Sequence, residues 1–386
     1  MFQVPSELMG ILPIQWLKKA VEAAVIHSDA GEIPDANFQP ASLDLRLGEK
    51  AYRLRCSFLP GAHRVQAKLD DQTLEEIDIR EGAILESNRP YLIPLMEQLH
   101  LPEYLHAKAN PKSSTGRLDV FTRVITDRGH RFDEIRPGYR GKLYLEVAPR
   151  SFTVKVRTGL SLNQLRLIKG VSQCSDGELL QAHRVEPMVF SPGGQLGLTE
   201  LDVADGVSLS IDLIGDGKGV IGYKAKKNSD LIDLSRKDYY DAAEFWEPIY
   251  AERRRRLILE PEEFYLLLSY ESVKMFPQFA GEMTALNPSS GEFRTHYAGF
   301  FDPGFGYGSG GEMAGTRAVM EIRAHDVPFM LENQQQVCKL RFERMLERPD
   351  LLYGAEIGST YYDQGLRLSK HFNPKTLRER PQLSLL

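Results

Sequence analysis

The sequence predicts a mainly β protein built from two similar lobes with a few short helices. Three observations carry this prediction: an internal repeat, frequent turn residues, and strand-like alternation between them. The chain has 386 residues, a length that suits two or three domains and can bury a sizeable core.

The repeat is the strongest of the three. ASLDLRLG at 41–48 is echoed by LSIDLIGD at 209–216. PYLIPLMEQLHLPEYLHAKANPKSS is echoed by EFYLLLSYESVKMFPQFAGEMTALNPSS, LYLEVAP by AVMEIRA, and NQLRL by CKLRF. The offsets stay nearly constant: 168 from Asp44 to Asp212, 174 from Tyr91 to Tyr265, 175 from Pro102 to Pro277, 176 from Ser113 to Ser289, and 175 both from Glu146 to Glu321 and from Leu165 to Leu340. A period this long marks a duplicated domain, not a solenoid. The stretch EPMVFSPGGQLG reads as a linker near 185–197, which divides the chain into lobes at 1–190 and 191–386.

Local structure follows from spacing. The 32 glycines and 22 prolines break the chain into short elements. In Leu143–Ala148, Leu143, Leu145 and Val147 share one face while Tyr144, Glu146 and Ala148 share the other, the period of a strand. Ile14, Leu17, Val21 and Ala24 fall at helical spacing behind Pro13, which suits a first helical turn. Residues 235–256 read as a second helix interrupted at Pro248. The cluster Arg253 to Arg256 reads as a solvated helix end.

Composition excludes several classes. The net charge is −5, so no global basic field points to nucleic acid, though a local pocket can still hold an anion. Cys56, Cys174 and Cys338 are scattered and odd in number, which fits neither a disulfide scaffold nor a CxxC zinc pair. No run of about 18 apolar residues reads as a membrane span, and the N-terminal stretch does not read as a signal peptide. The expectation is a cytoplasmic protein with no membrane partner.

Two segments could carry chemistry. Lys112, Ser113, Ser114 and Arg117 form a compact cationic, hydroxyl-bearing turn of the kind a polyphosphate needs, although such a string is also a common surface turn. It lacks the GxxxxGK[ST] pattern of a Walker loop. Glu146 is the one acid in an apolar strand. Buried, it would suit a general acid and base; solvent-facing, it would be inert. In the second half, Gly306, Gly308 and Gly311 spell GxGxxG, but no fingerprint helix follows, so no dinucleotide site is read there.

Taken in order, QPASLDLRLG, the KSSTGR turn, PGYRG, the strand glutamate and GLSLNQL resemble the dCTP deaminase and trimeric dUTPase superfamily, the first string especially its deaminase branch. YYDQGLRLSKHF at 361–372 is similar to that branch's closing tail. The resemblance implies β-clip (dUTPase-like) lobes and hydrolytic deamination of dCTP to dUTP and ammonia. It also implies a homo-oligomer, a trimer by preference, with sites at subunit boundaries. Glu146 would be the catalytic acid and base. Lys112, Ser113, Ser114, Arg117, Arg128, Gln164, Tyr362, Gln364 and Lys370 would bind the nucleotide, and Ser369 would join the tail that closes over it. Magnesium would arrive with the triphosphate, and no catalytic zinc is expected, because the His/Cys-Glu and PCxxC elements of zinc deaminases are missing.

Departures from the family pattern leave alternatives open. Arg136 replaces the usual Asp of the IDPG turn, and an insertion within Gly129–Ile135 carries His130 and Arg131. The second half keeps Asp302 and Glu321 but has Phe293 where Arg117 would align, with Arg294 one residue late. It is therefore expected to serve as scaffold, with a tail that closes over nucleotide. The alternative functions are a dUTP diphosphatase, a bifunctional dCTP deaminase/dUTPase, and a non-catalytic nucleotide sensor.

Overall fold

The computed structural model describes residues 2–215, 219–286, 293–295, 299–324, 326–362 and 365–376. It shows two β lobes of matching topology. In the first, Ser161–Lys169 pairs with both Leu43–Arg46 and Leu105–Pro111; in the second, Gln336–Arg344 pairs with both Val207–Ser210 and Phe279–Ala285. Likewise Arg140–Pro149 pairs with Tyr91–His100, as Thr316–Ala324 pairs with Phe264–Val273. Register is preserved down to the two glutamates: Glu146 sits opposite Leu92 and Glu321 opposite Leu266.

The lobes divide earlier than the turn residues suggest. Helix Ile14–Glu22 leads to strand Ile26–Ser28 on the edge of the first lobe's sheet. Helix Asp176–Val185 leads in the same way to Val189–Ser191, which pairs with Phe264–Val273 of the second lobe. The expected linker at 185–197 is thus a hairpin inside the second lobe, closed between Ser191 and Gly194, with Gly194 at φ +120°. Its Gly and Pro serve a turn, not a boundary.

Other elements also differ from expectation. Residues 235–256 do not form one helix. They hold a four-residue helix, Ala242–Phe245, and a strand, Trp246–Tyr250. Pro248 lies opposite Tyr223 on an edge strand, where its missing N–H costs no ladder bond. Arg256 pairs with Glu332 at 2.8 Å across a two-stranded ladder.

The lobes share part of one core. Phe245, Trp246, Phe264 and Val319 from the second lobe pack in the same cluster as Phe152, Leu145 and Leu165 from the first. The Phe152 ring meets those of Trp246 at 5.4 Å and Phe245 at 5.9 Å, edge to face. Each such pair contributes about 0.5–1.5 kcal/mol beyond its area. Beside this core, fully buried Arg166 crosses the boundary. Its guanidinium donates to the carbonyls of Gly281 and Phe301, both at 2.9 Å, and pairs with Asp302 at 3.1 Å and Glu343 at 3.2 Å.

Alternation along the glutamate strands decides what each face meets. In Thr316–Ala324 the side chains of Ala318, Met320 and Ile322 fill the second lobe's own core. Val319, Glu321 and Arg323 point the other way, to the first lobe. In the first lobe the matching face, with Tyr144 and Glu146, is covered by its own helix Val65–Gln72 through Val65 and Leu69.

Candidate active site

A cleft of about 310 Å³ opens between the lobes. The first lobe supplies the turn Ser113–Gly116 with Lys112 and Arg117 at its ends, Asp44 from Leu43–Arg46 and Gln164 from Ser161–Lys169. The second supplies Asp302, Phe305 and Glu321, and the C-terminal segment supplies Tyr361 and Lys370.

The KSSTGR turn is built as its sequence suggests. Pro111 closes the preceding strand, and the amides of Thr115 and Gly116 both bond to the Lys112 carbonyl at 2.8 and 3.0 Å. The Lys112 ammonium pairs with the Asp44 carboxylate. Gln164 is fixed by Ser42 Oγ, which donates to it at 3.0 Å, and by the Pro111 carbonyl, which accepts from it at 3.3 Å. The Ser369 hydroxyl donates to the Ser114 carbonyl at 2.7 Å, so the tail is tied to the turn. Arg117 lies 3.9 Å over the Tyr361 ring and donates to the Arg367 carbonyl at 2.7 Å.

The glutamate at this turn is Glu321. A Cβ built on Gly116 would lie 2.4 Å from both of its carboxylate oxygens. Gly116 has an ordinary helical φ, so it is the approach of Glu321 that leaves no room for a side chain here. Two residues along the same face, Arg323 reaches buried Asp119, which also accepts from Ser151 Oγ at 2.6 Å. Carboxylate and guanidinium thus dock the strand at and just beyond the C-terminal end of the turn.

Glu146, expected as the catalytic group, does not line the cleft. It is buried under its own lobe and paired with Arg123, whose Nε donates to it at 3.1 Å. Arg123 is in turn stacked on Phe132, 3.6 Å from guanidinium to ring centre. The strand turns Glu146 toward Tyr144, Leu92 and the covering helix, away from Lys112 and Arg117. Asp302 and Glu321 of the second lobe line the same cleft as the KSSTGR turn.

Of the residues the sequence singled out, Lys112, Ser113, Ser114, Arg117, Gln164 and Lys370 line this one cleft. Arg128 does not. It takes φ +56° in a turn and lines a separate groove with Lys108, His130, Arg131 and Arg136. The insertion pulls it there, since Glu134–Ile135 pairs with Lys108 and Ala107. Tyr362 faces solvent beside the glycine-rich insertion, and its neighbour Tyr361 takes the place in the cleft, its hydroxyl accepting from the Lys370 amide at 3.0 Å. Gln364 lies outside the described residues.

Cations and carboxylates meet in the cleft: Lys112 and Lys237 act on Lys370, Asp302 feels both Lys112 and Asp44, and Glu321 acts on Arg117. Burial, then the neighbouring Lys112 and Lys237, pulls the Lys370 ammonium down to about 8. Burial pushes the Asp302 carboxyl up, against the pull of Arg166. Lys237 and Asp44 were missed from sequence. Lys237 sits in SRKDYYD, which reads as ordinary helix surface. Among the described residues, no group of three or more His, Cys, Asp or Glu side chains is placed to hold a metal ion, and no helix is long and apolar enough to cross a membrane.

The site is a two-lobed cleft lined by a cationic, hydroxyl-bearing turn from one lobe and by buried carboxylates from the other. Residues 8–171 match the family "2'-deoxycytidine 5'-triphosphate deaminase (DCD) N-terminal domain", and residues 175–372 match its C-terminal domain. The chain belongs to the dCTP deaminase family. A crystal structure of 2'-deoxycytidine 5'-triphosphate deaminase from Agrobacterium tumefaciens is 46% identical, with TM-score 0.82 over 88% of this chain and 100% of that one. "dCTP deaminase, dUMP-forming" of Methanothermobacter thermautotrophicus is 28% identical over 141 residues, 36% of this chain and 68% of that protein. "dCTP deaminase" of Haloarcula marismortui is 31% identical over 135 residues, 34% and 66% of the two chains.

Proposed function

We propose that the chain deaminates dCTP to dUTP and ammonia at one composite site, with Glu321 as general acid and base. The observation that carries this reading is the contact of the Glu321 carboxylate with the KSSTGR turn. The resemblance expects such a site between subunits; here the lining residues of both lobes belong to one chain.

In this reading Lys112, Ser113, Ser114 and Lys370 hold the phosphates, and magnesium enters bound to them. The pyrimidine lies toward Glu321, Asp302 and Phe305. The Glu321 carboxylate takes a proton from water, and the hydroxide forms a bond to C4 while the carboxyl delivers that proton to N3. The C4 hydroxyl then passes its proton through the carboxylate to the amino group. The C4–N bond breaks, ammonia leaves, and the C4 carbonyl of dUTP forms. General acid–base transfer of this kind supplies about 10²–10⁴-fold. Arg117 lines the cleft with Glu321 and is stacked on Tyr361, so its guanidinium is held in place beside the reacting group.

A bifunctional reading has one observation in its favour. Asp302 lines the cleft, whereas Arg136, the residue that argued against hydrolysis of dUTP, lies in a different groove. Incubation with dCTP separates the readings: ammonia with dUTP supports deamination alone, ammonia with dUMP and pyrophosphate supports the bifunctional reading, and binding without turnover overturns both. Glu321→Gln should lose at least 10²-fold in kcat while still binding dCTP.

A further inference from the structure

One residue of the cleft comes from a segment that takes a different course in the two lobes. After strand Val220–Ala225 the second lobe sends residues 230–241 across the boundary. Ile232 and Asp233 add a parallel strand to Val154 and Lys155. The segment then runs beside the C-terminal tail. The amide of Asp238 donates to the Lys370 carbonyl at 2.9 Å, and those of Tyr239 and Tyr240 donate to the His371 carbonyl at 3.0 and 3.1 Å. His371 Nδ1 donates to the Arg236 carbonyl at 2.7 Å, and the Asn373 amide donates to the Tyr240 carbonyl at 2.9 Å. In the first lobe the matching stretch, after Lys50–Leu54, folds back over its own sheet as Val65–Gln72.

This clasp holds Lys237 at the mouth of the cleft, beside Lys112 and Lys370. Lys112 has Asp44 as partner. Among the described residues, neither the Lys237 nor the Lys370 ammonium is ion-paired with an acid. Gathering three ammonium groups in a partly enclosed cleft costs free energy through like-charge repulsion. A ligand carrying several negative charges beside them offsets the cost.

We propose that Lys237 is a phosphate-binding residue and that the 230–241 segment makes the cleft selective for the triphosphate over the monophosphate. The assignment rests on the reading of the cleft as a dCTP site. It differs from a merely structural role for the segment, which is anchored by backbone bonds and by Ile232 and Leu234 in the core, not by the Lys237 side chain.

The test measures equilibrium binding of dCTP and dCMP to the full-length wild type, Lys237→Ala and Lys237→Arg, together with dCTP kinetics. Lys237→Ala should weaken dCTP about ten- to thirtyfold, the scale of one charge-assisted contact. The loss should appear in KM more than in kcat, leave dCMP within about twofold, and be largely restored in Lys237→Arg. Unchanged dCTP binding in Lys237→Ala overturns the proposal, as does an equal loss for dCMP and dCTP. Wild type that binds dCTP without deaminating it sinks the proposed reaction, yet its variants still decide the role of Lys237. Wild type that does not bind dCTP sinks both.

Discussion

The Glu321 carboxylate rests on the Cα of Gly116, across the boundary between the lobes, so closely that a single added carbon would meet both oxygens at 2.4 Å. Backbone conformation gives Gly116 no need to be glycine, and alanine favours a helical turn. Gly116→Ala should therefore fold normally and move the carboxylate instead. A fall in kcat of about 10²-fold with an unchanged unfolding midpoint is expected, since small misplacements of a reacting group have effects of that size. Denaturant titration alongside steady-state kinetics checks both halves.

Glu146 occupies the same register in the first lobe but is committed to Arg123. Glu146→Gln should keep kcat for dCTP within about threefold. It should lower stability by about 1–3 kcal/mol, less than for a fully enclosed pair because Arg123 is partly exposed. Calorimetric titration should find one nucleotide per chain. A large loss of turnover in this variant would contradict the assignment of Glu321.

Arg166 ties the Asp302 carboxylate, the Phe301 carbonyl and Glu343 together with no exposure of its own side chain. Arg166→Lys removes the planar fork that makes these bonds at once. It should cost about 3–5 kcal/mol of stability, because one ammonium cannot reach two buried carboxylates and two carbonyls at once. Turnover should fall as well, since Asp302 is no longer held. Unfolding in denaturant and kinetics below the transition region test this.

Lys370 gives the pH dependence a definite sign. Its ordinary value near 10.5 falls to about 8 in the folded protein. As pH rises through 8 the ammonium is lost, so KM for dCTP should rise several-fold between about pH 7 and 9. Binding near pH 8 should take up protons, seen as a buffer-dependent heat. Without nucleotide the sign reverses for stability. The unfolded chain binds more protons between about pH 8 and 10.5, so this group makes the fold more stable as pH rises across that window. Lys370→Met should remove both trends.

The duplication could be read from local strings because each lobe repeats the same strand patterns. Half of the site could be read in the same way: Lys112, Ser113, Ser114 and Arg117 are contiguous. The losses were also visible in complementary form. The first lobe has Arg136 where Asp belongs, and the second has Phe293 where Arg belongs, while keeping Asp302 and Glu321. What could not be read is that the intact halves face one another. Spacing along the chain places Glu146 nearer to the turn than Glu321, whereas the fold brings Glu321 to it.

The sequence by itself determined the mainly β class, the two lobes, the cationic turn and the family resemblance, because these depend on short-range periodicity and contiguous motifs. Only the tertiary structure decided which glutamate meets that turn, that Lys237 lines the cleft beside Lys370, and that Arg128 and Tyr362 stand aside. The physical reason is packing. One face of each glutamate strand must be covered, and helix Val65–Gln72 covers it in the first lobe while the first lobe itself covers it in the second. That choice buries one carboxylate against an arginine and leaves the other at the wall of a cleft.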